Sequence, residues 1–153
     1  MKSISLLLSS LLVLALSIAQ AQPSAYAKYT PSFLKDVPFE TMRSDFEKLR
    51  PNAGKPSGIM GFRHEYAEKT KGKTKLITYY FMGNGVDKLY EYIIDFKKKG
   101  ANEKEAVKLL GPPNNNGEWL LKADNGITVK AWTFSNSLVI AAVLPGSEWD
   151  ESK

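Results

Sequence analysis

Residues 100–144, GANEKEAVKLLGPPNNNGEWLLKADNGITVKAWTFSNSLVIAAVL, restrict the possible folds more than any other stretch. Asn102 with Glu105 three residues on reads as an N-cap and an Asn version of the capping box. Ala106, Leu109 and Leu110 follow as one apolar stripe. Gly111-Pro112-Pro113 then ends the helix, because glycine suits the left-handed C′ position and proline cannot continue the ladder. Beyond that stop the apolar period shortens to that of strands. Segments 118–124 and 127–136 flank Asn125-Gly126, a strong two-residue hairpin signal. Segment 137–144, SLVIAAVL, is apolar on both faces, as an interior strand should be. The unit expected here is one helix followed by three strands.

The same order is read upstream, between residues 38 and 96. Phe39, Met42, Phe46 and Leu49 recur at steps of three and four, predicting a helix that Pro38 opens and Pro51 and Gly54 close. Residues 55–61, KPSGIMG, read as loop. Segments 62–70, 75–84 and 88–96 are rich in β-branched and aromatic residues between Gly, Asn or Lys turns. In the last, Tyr90, Tyr92, Ile94 and Phe96 alternate with Leu89, Glu91, Ile93 and Asp95, which predicts a strand with one strongly apolar face. Leu89, Tyr92, Ile93 and Phe96 also fit a helix stripe, so 86–98 admits both readings; the weight of Tyr, Ile and Phe favours strand. Laying Asn84 on Asn136 places Ile77 on Val129, Tyr80 on Trp132 and Met82 on Phe134. The chain thus reads as two helix–strand–strand–strand repeats, 38–96 and 100–144. The expected class is α+β, an antiparallel sheet of about six strands with two helices on one face.

Outside the repeats the signals concern address. Lys2, the apolar run 4–19 and Ala19-Gln20-Ala21 predict a signal peptide over residues 1–21, with Gln22 as the mature N-terminus. The run of about 16 residues falls short of the roughly 20 that a spanning helix needs. Residues 22–37 read as an N-terminal linker that Tyr26, Tyr29, Phe33 and Leu34 could dock, and 146–153 as a polar tail frayed unless Trp149 anchors it. The chain of 153 residues contains no cysteine, which rules out disulfides, thiol chemistry and a lipid-modified cysteine. An exported domain without disulfides points to a bacterial periplasmic or secreted protein.

Little in the sequence supports catalysis. His64 is the only histidine, so neither a multi-histidine nor a cysteine metal site can form. On a strand, His64 points away from Arg63 and Glu65, which argues against a local His–Glu dyad. Glu91 and Asp95 stand roughly 13 Å apart along a strand, too wide for shared acid–base work. No catalytic, metal or cofactor site is expected. The formal charge is +5, from 21 basic and 16 acidic residues, with lysines concentrated in 68–75 and 97–99. Those runs read as solvated turns guarding strand ends, or as attraction to anionic lipid or glycan. Nucleic acid is disfavoured, since no recognition motif is present.

A helix ending in LLGPP, a Trp-bearing strand and a hairpin closing on Trp132-x-Phe134-x-Asn136 together resemble the BLIP-like superfamily. That superfamily includes the β-lactamase inhibitory protein and the small outer-membrane assembly lipoproteins. The resemblance implies tandem helix-plus-sheet repeats whose sheet face binds another protein. Because this chain lacks the cysteines of both groups, no functional residues are carried over. The residues expected to form a partner-binding surface are Tyr80, Tyr79, Trp132 and Trp119 on the strands, with Lys73 and Lys75 beside them. Tyr79 and Tyr80 must point to opposite faces. The expected function is a small exported non-enzymatic module that binds a protein through an aromatic sheet face. The alternatives are an envelope factor binding anionic lipid or glycan through its lysine turns, and a hydrolase using His64.

Overall fold

Seven strands make one antiparallel sheet in a computed structural model that describes residues 24–152. The signal peptide expected over 1–21, and Gln22 after it, lie outside those residues. The elements run α1 (Arg43–Leu49), β1 (Ser57–Met60), β2 (Arg63–Lys69), β3 (Thr74–Met82), β4 (Leu89–Phe96), α2 (Ala101–Leu110), β5 (Trp119–Lys122), β6 (Thr128–Phe134) and β7 (Ser137–Ala142). Across the sheet their order is β1-β2-β3-β4-β7-β6-β5. This is the α+β class expected, and residues 89–96 are strand, not helix. β4 and β7 pair at the centre, with Glu91 opposite Ala141 and Ile94 opposite Leu138. A helix with a three-strand meander therefore occurs twice, the two lying side by side in one continuous sheet. β7 is buried at every position, which explains its doubly apolar sequence.

Directly paired residues of antiparallel strands share a face. One row across the sheet reads Tyr66, Tyr79, Tyr92, Ile140, Ala131 and Trp119. This inner face carries both helices. Phe46 of α1 packs 4.7 Å from the Tyr79 ring and 4.9 Å from that of Phe81, and Ala106 of α2 is fully buried. The third covering element is the segment read as a linker. Two 3₁₀ turns, Ala27–Tyr29 and Ser32–Leu34, shape it. They sink Tyr26, Leu34 and Val37 into the core. The Val37 carbonyl accepts the hydroxyl of Tyr92, which burial would otherwise leave unpaired.

Four local expectations are corrected. The helix read from Pro38 begins at Arg43, and Met42 and Leu49 of its supposed stripe are exposed. Glu40 sits at φ 69°, its amide donates to the Leu89 carbonyl, and the Leu89 amide donates to the Thr41 carbonyl. Backbone pairing with β4 thus outweighs helical periodicity over 40–42. Second, residues read as loop supply the edge strand β1, registered as Ser57 on Glu65 and Met60 on Arg63. Glycines at 58 and 61 conceal it, since they lower strand propensity. Third, Asn102 is no N-cap. Gly100 at φ 74° holds that place, and the Asn102 amide donates to the carbonyls of Ser135 at 3.3 Å and Ser137 at 3.0 Å, tying α2 to the β6–β7 turn. Fourth, Asn125-Gly126 is not a two-residue turn. The loop is closed by Ala123 N–H to Ile127 O and Gly126 N–H to Ala123 O, both 2.9 Å. Only Gly126 there has positive φ, so the turn is of the longer type with a glycine bulge.

Candidate functional site

The opposite, outer face follows from the same registers. Three rows cross it. The first is Glu65, Tyr80, Glu91, Ala141, Lys130 and Leu120. The second is Ala67, Thr78, Ile93, Val139 and Trp132, and the third is Lys69, Leu76, Asp95, Ser137 and Phe134. Among the described residues neither helix lies on this face. Phe134 and Leu120 are about half exposed, at 52% and 46%, and Leu76, Ile93 and Trp132 are partly exposed. These side chains are spread over the face, with Asp95 and Ser137 between Leu76 and Phe134 and with Leu120 on the edge strand β5.

A bulge reshapes the first row. Tyr80 pairs with Glu91 but Phe81 pairs with Leu89, so Tyr90 is the extra residue. Leu89 therefore joins Tyr92 and Ile94 inside, and Tyr90 turns outward beside Glu91. The alternation in the sequence puts Tyr90 on the face of Tyr92; the bulge overturns that.

The chain leaves β7, turns back at Gly146 (φ 83°) and lays residues 148–151 over this row. The Trp149 indole N–H donates to Glu91 Oε2 at 2.5 Å, and its ring meets Trp132 edge-on at 4.9 Å. Glu148 accepts from Tyr90 Oη at 2.6 Å and from Arg63 Nη1 at 3.1 Å. Arg63 in turn stacks 4.2 Å above the Tyr80 ring. Lys130 pairs with Glu151 at 2.5 Å. The tail read as polar is thus anchored by Trp149, the one residue the sequence offered for that task.

Glu91 is the chemically unusual member. It is 3% exposed, and burial pushes its carboxyl up to about 7; the Trp149 hydrogen bond and Arg63 pull downward, and Glu148 adds to the rise. Burial likewise raises the Tyr80 hydroxyl to about 12, with Glu65 adding to the effect and Arg63 opposing it. Both shifts have the same cause, burial on a sheet face that neither helix of the described residues covers.

The six residues expected at a partner surface are divided by the fold. Tyr80 and Trp132 both face outward, on β3 and β6 with β4 and β7 between them, but only Trp132 is partly exposed, since Tyr80 is 8% exposed beneath Arg63. Tyr79 and Trp119 are core residues of the inner face, 0% and 4% exposed, and cannot meet a partner. Tyr79 donates to Glu68 and Trp119 to the Gly111 carbonyl, which satisfies their polar ends within the fold. Lys73 and Lys75 lie in and beside the β2–β3 turn, away from both aromatics. Lys73 pairs with Glu105 at 2.6 Å on the rim of a cleft of about 360 Å³ floored by Ile94, Phe96 and Leu138. The Lys97 amide donates to the Lys73 carbonyl, so the two lysine runs meet at one end of the sheet. His64 faces inward near the start of β2, 3.5 Å from Asp87, which also holds Arg43 at 3.1 Å.

Arg63, Tyr90, Glu91 and Lys130 are the participants that sequence reasoning missed, and Trp149 was expected only as an anchor for the tail. The one signal for them is Glu91, a carboxylate inside the apolar run LYEYIIDF. Among the described residues no group of three or more His, Asp or Glu side chains is placed to hold a metal, and no helix is long and apolar enough to cross a membrane. No protein-family model, curated protein or solved structure matches the chain.

Proposed function

We propose that the protein is a small exported binding module that docks another protein on its outer sheet face. The observation that carries this reading is the helix-free face on which Trp132, Phe134, Leu120, Ile93 and Leu76 remain accessible beside a desolvated polar cluster. Trp and Arg are enriched in binding hot spots, and here Trp132 and Arg63 share one surface, with Tyr80 buried beneath Arg63. The resemblance to the BLIP-like superfamily, whose sheets bind proteins, points the same way. Envelope extract or culture fluid passed over the immobilised protein tests it, with Trp132→Ala and Phe134→Asp chains in parallel. The expected result is a retained protein whose capture falls about tenfold or more with either substitution. Equal capture by all three chains would overturn the reading.

A second reading rests on the meeting of the two lysine runs at the β2–β3 turn and residues 97–99. They form a basic edge suited to anionic lipid or glycan. Ionic strength separates the two. Attraction led by exposed lysines weakens sharply with added salt, and docking on the aromatic face does not.

A further inference from the structure

The segment lying on the outer face is itself a worked example of what that face recognises. Residues 148–151, Glu-Trp-Asp-Glu, meet it through two bound carboxylates, a ring contact and an indole N–H. Arg63 and Tyr90 take one carboxylate. Lys130 takes another. Trp132 takes the edge of an indole. Glu91 accepts the indole N–H. Cations stand where the segment brings anions, and an aromatic wall stands where it brings an aromatic ring. The least expected element is Glu91. A carboxylate buried on a sheet face is costly unless a donor is delivered to it, and the donor is delivered by a segment that packs against the sheet from outside.

We propose that the outer face is a receptor for short acidic segments carrying a tryptophan, and that residues 145–151 occupy it in cis until such a segment from a partner displaces them. This rests on the docking reading above and names the partner's chemistry. A short tether holds its segment at an effective concentration on the order of millimolar. A free segment must compete against that, so its apparent affinity falls by the fraction of molecules whose site is open. The Glu91 acceptor also sets specificity. A phenylalanine in the tryptophan's place leaves the buried carboxylate without its donor, which disfavours it by about tenfold or more.

The probe is a synthetic peptide of residues 145–152, Pro-Gly-Ser-Glu-Trp-Asp-Glu-Ser, labelled at its N-terminus and followed by fluorescence anisotropy. It is titrated into full-length wild type, into Trp149→Ala, and into the double variant Glu148→Gln with Glu151→Gln, which loosens the segment while keeping every core residue. Circular dichroism confirms that each chain is folded, and the double variant carries the test if Trp149→Ala does not fold. The expected result is binding to both loosened chains at least about tenfold tighter than to wild type. Binding should be lost when Arg63→Glu is added, and weakened about tenfold when the peptide carries Phe for Trp. Absence of binding to a folded loosened chain would overturn the proposal, and so would equal binding to wild type. If the peptide fails while capture of a protein still depends on Trp132 and Phe134, the docking face stands and its assignment to acidic tryptophan segments falls.

Discussion

The indole N–H of Trp149 donates at 2.5 Å to the carboxylate of Glu91, joining the segment after β7 to the central strand β4. The contact sits on the outer face, beside Arg63, Tyr90 and Glu148. It fixes where the segment lies and gives the buried Glu91 carboxyl a donor.

Replacing Glu91 with glutamine tests that acceptor through pH. The folded-state pKa is raised from 4.5 to about 7, so between those values the native protein binds more protons than the unfolded chain. Stability from this group is complete below the lower value and is lost as pH rises through the upper one. Arg63, Glu148, Tyr90 and Trp149 face the carboxyl, and the amide oxygen of a glutamine in its place would still accept the indole N–H. Urea unfolding at pH 5 and pH 8 should show wild type losing up to about 3 kcal/mol relative to Glu91→Gln. A constant difference between the two chains would show that the carboxyl titrates normally.

Gly83 marks a close crossing of backbones. A Cβ there would stand 2.7 Å from the Gly61 oxygen, 2.7 Å from the Phe62 carbonyl carbon and 2.9 Å from the Arg63 nitrogen. Its amide also donates to the Phe62 carbonyl at 2.7 Å. Gly83→Ala must push the β1–β2 turn away, at a cost of about 1–3 kcal/mol by thermal or urea unfolding. Gly85→Ala is the control for crowding, because nothing lies within 4 Å of its Cβ, although its φ of 79° still adds strain.

Phe46 is the only fully buried residue of α1 and touches Tyr66, Tyr79 and Phe81. Phe46→Ala should cost about 3–5 kcal/mol. Leu49→Ala, exposed on the same helix, should cost less than about 0.5 kcal/mol. Equal losses would mean that the helix does not pack through Phe46.

Sequence periodicity carried the architecture because burial imposes it. Six of the seven strands, both helices and their common face follow from alternation and from the Gly111-Pro112-Pro113 stop. What it could not show depends on contacts between distant segments. Met42 and Leu49 fit a helix stripe, yet 40–42 are held by backbone bonds to β4. Asn102 has the composition of a cap, yet its amide is used 33 and 35 residues away on Ser135 and Ser137. At the site, Tyr79 and Trp119 are the same residue types as Tyr80 and Trp132, and only the register decides which pair lies on the inner face. Tyr90 reaches the outer face through a bulge that no alternation reveals.

Asn102→Ala removes both bonds that tie α2 to the β6–β7 turn, leaving two carbonyls to find water. The expected cost is about 1–3 kcal/mol in urea unfolding. Amide exchange should quicken first in α2, since that helix loses its tether while the sheet keeps its ladder.

The three tryptophans provide the most direct measurement of the central claim. Trp119 is on the inner face, Trp132 on the outer face, and Trp149 in the segment that lies over it. Their indole N–H signals, assigned by single substitution in a nitrogen-15 spectrum, are followed as the protein retained in the capture experiment is added. Docking on the outer face predicts that the Trp132 and Trp149 signals shift or broaden while that of Trp119 stays in place. A spectrum in which Trp119 moves and Trp132 does not, or in which none of the three responds, would contradict the account.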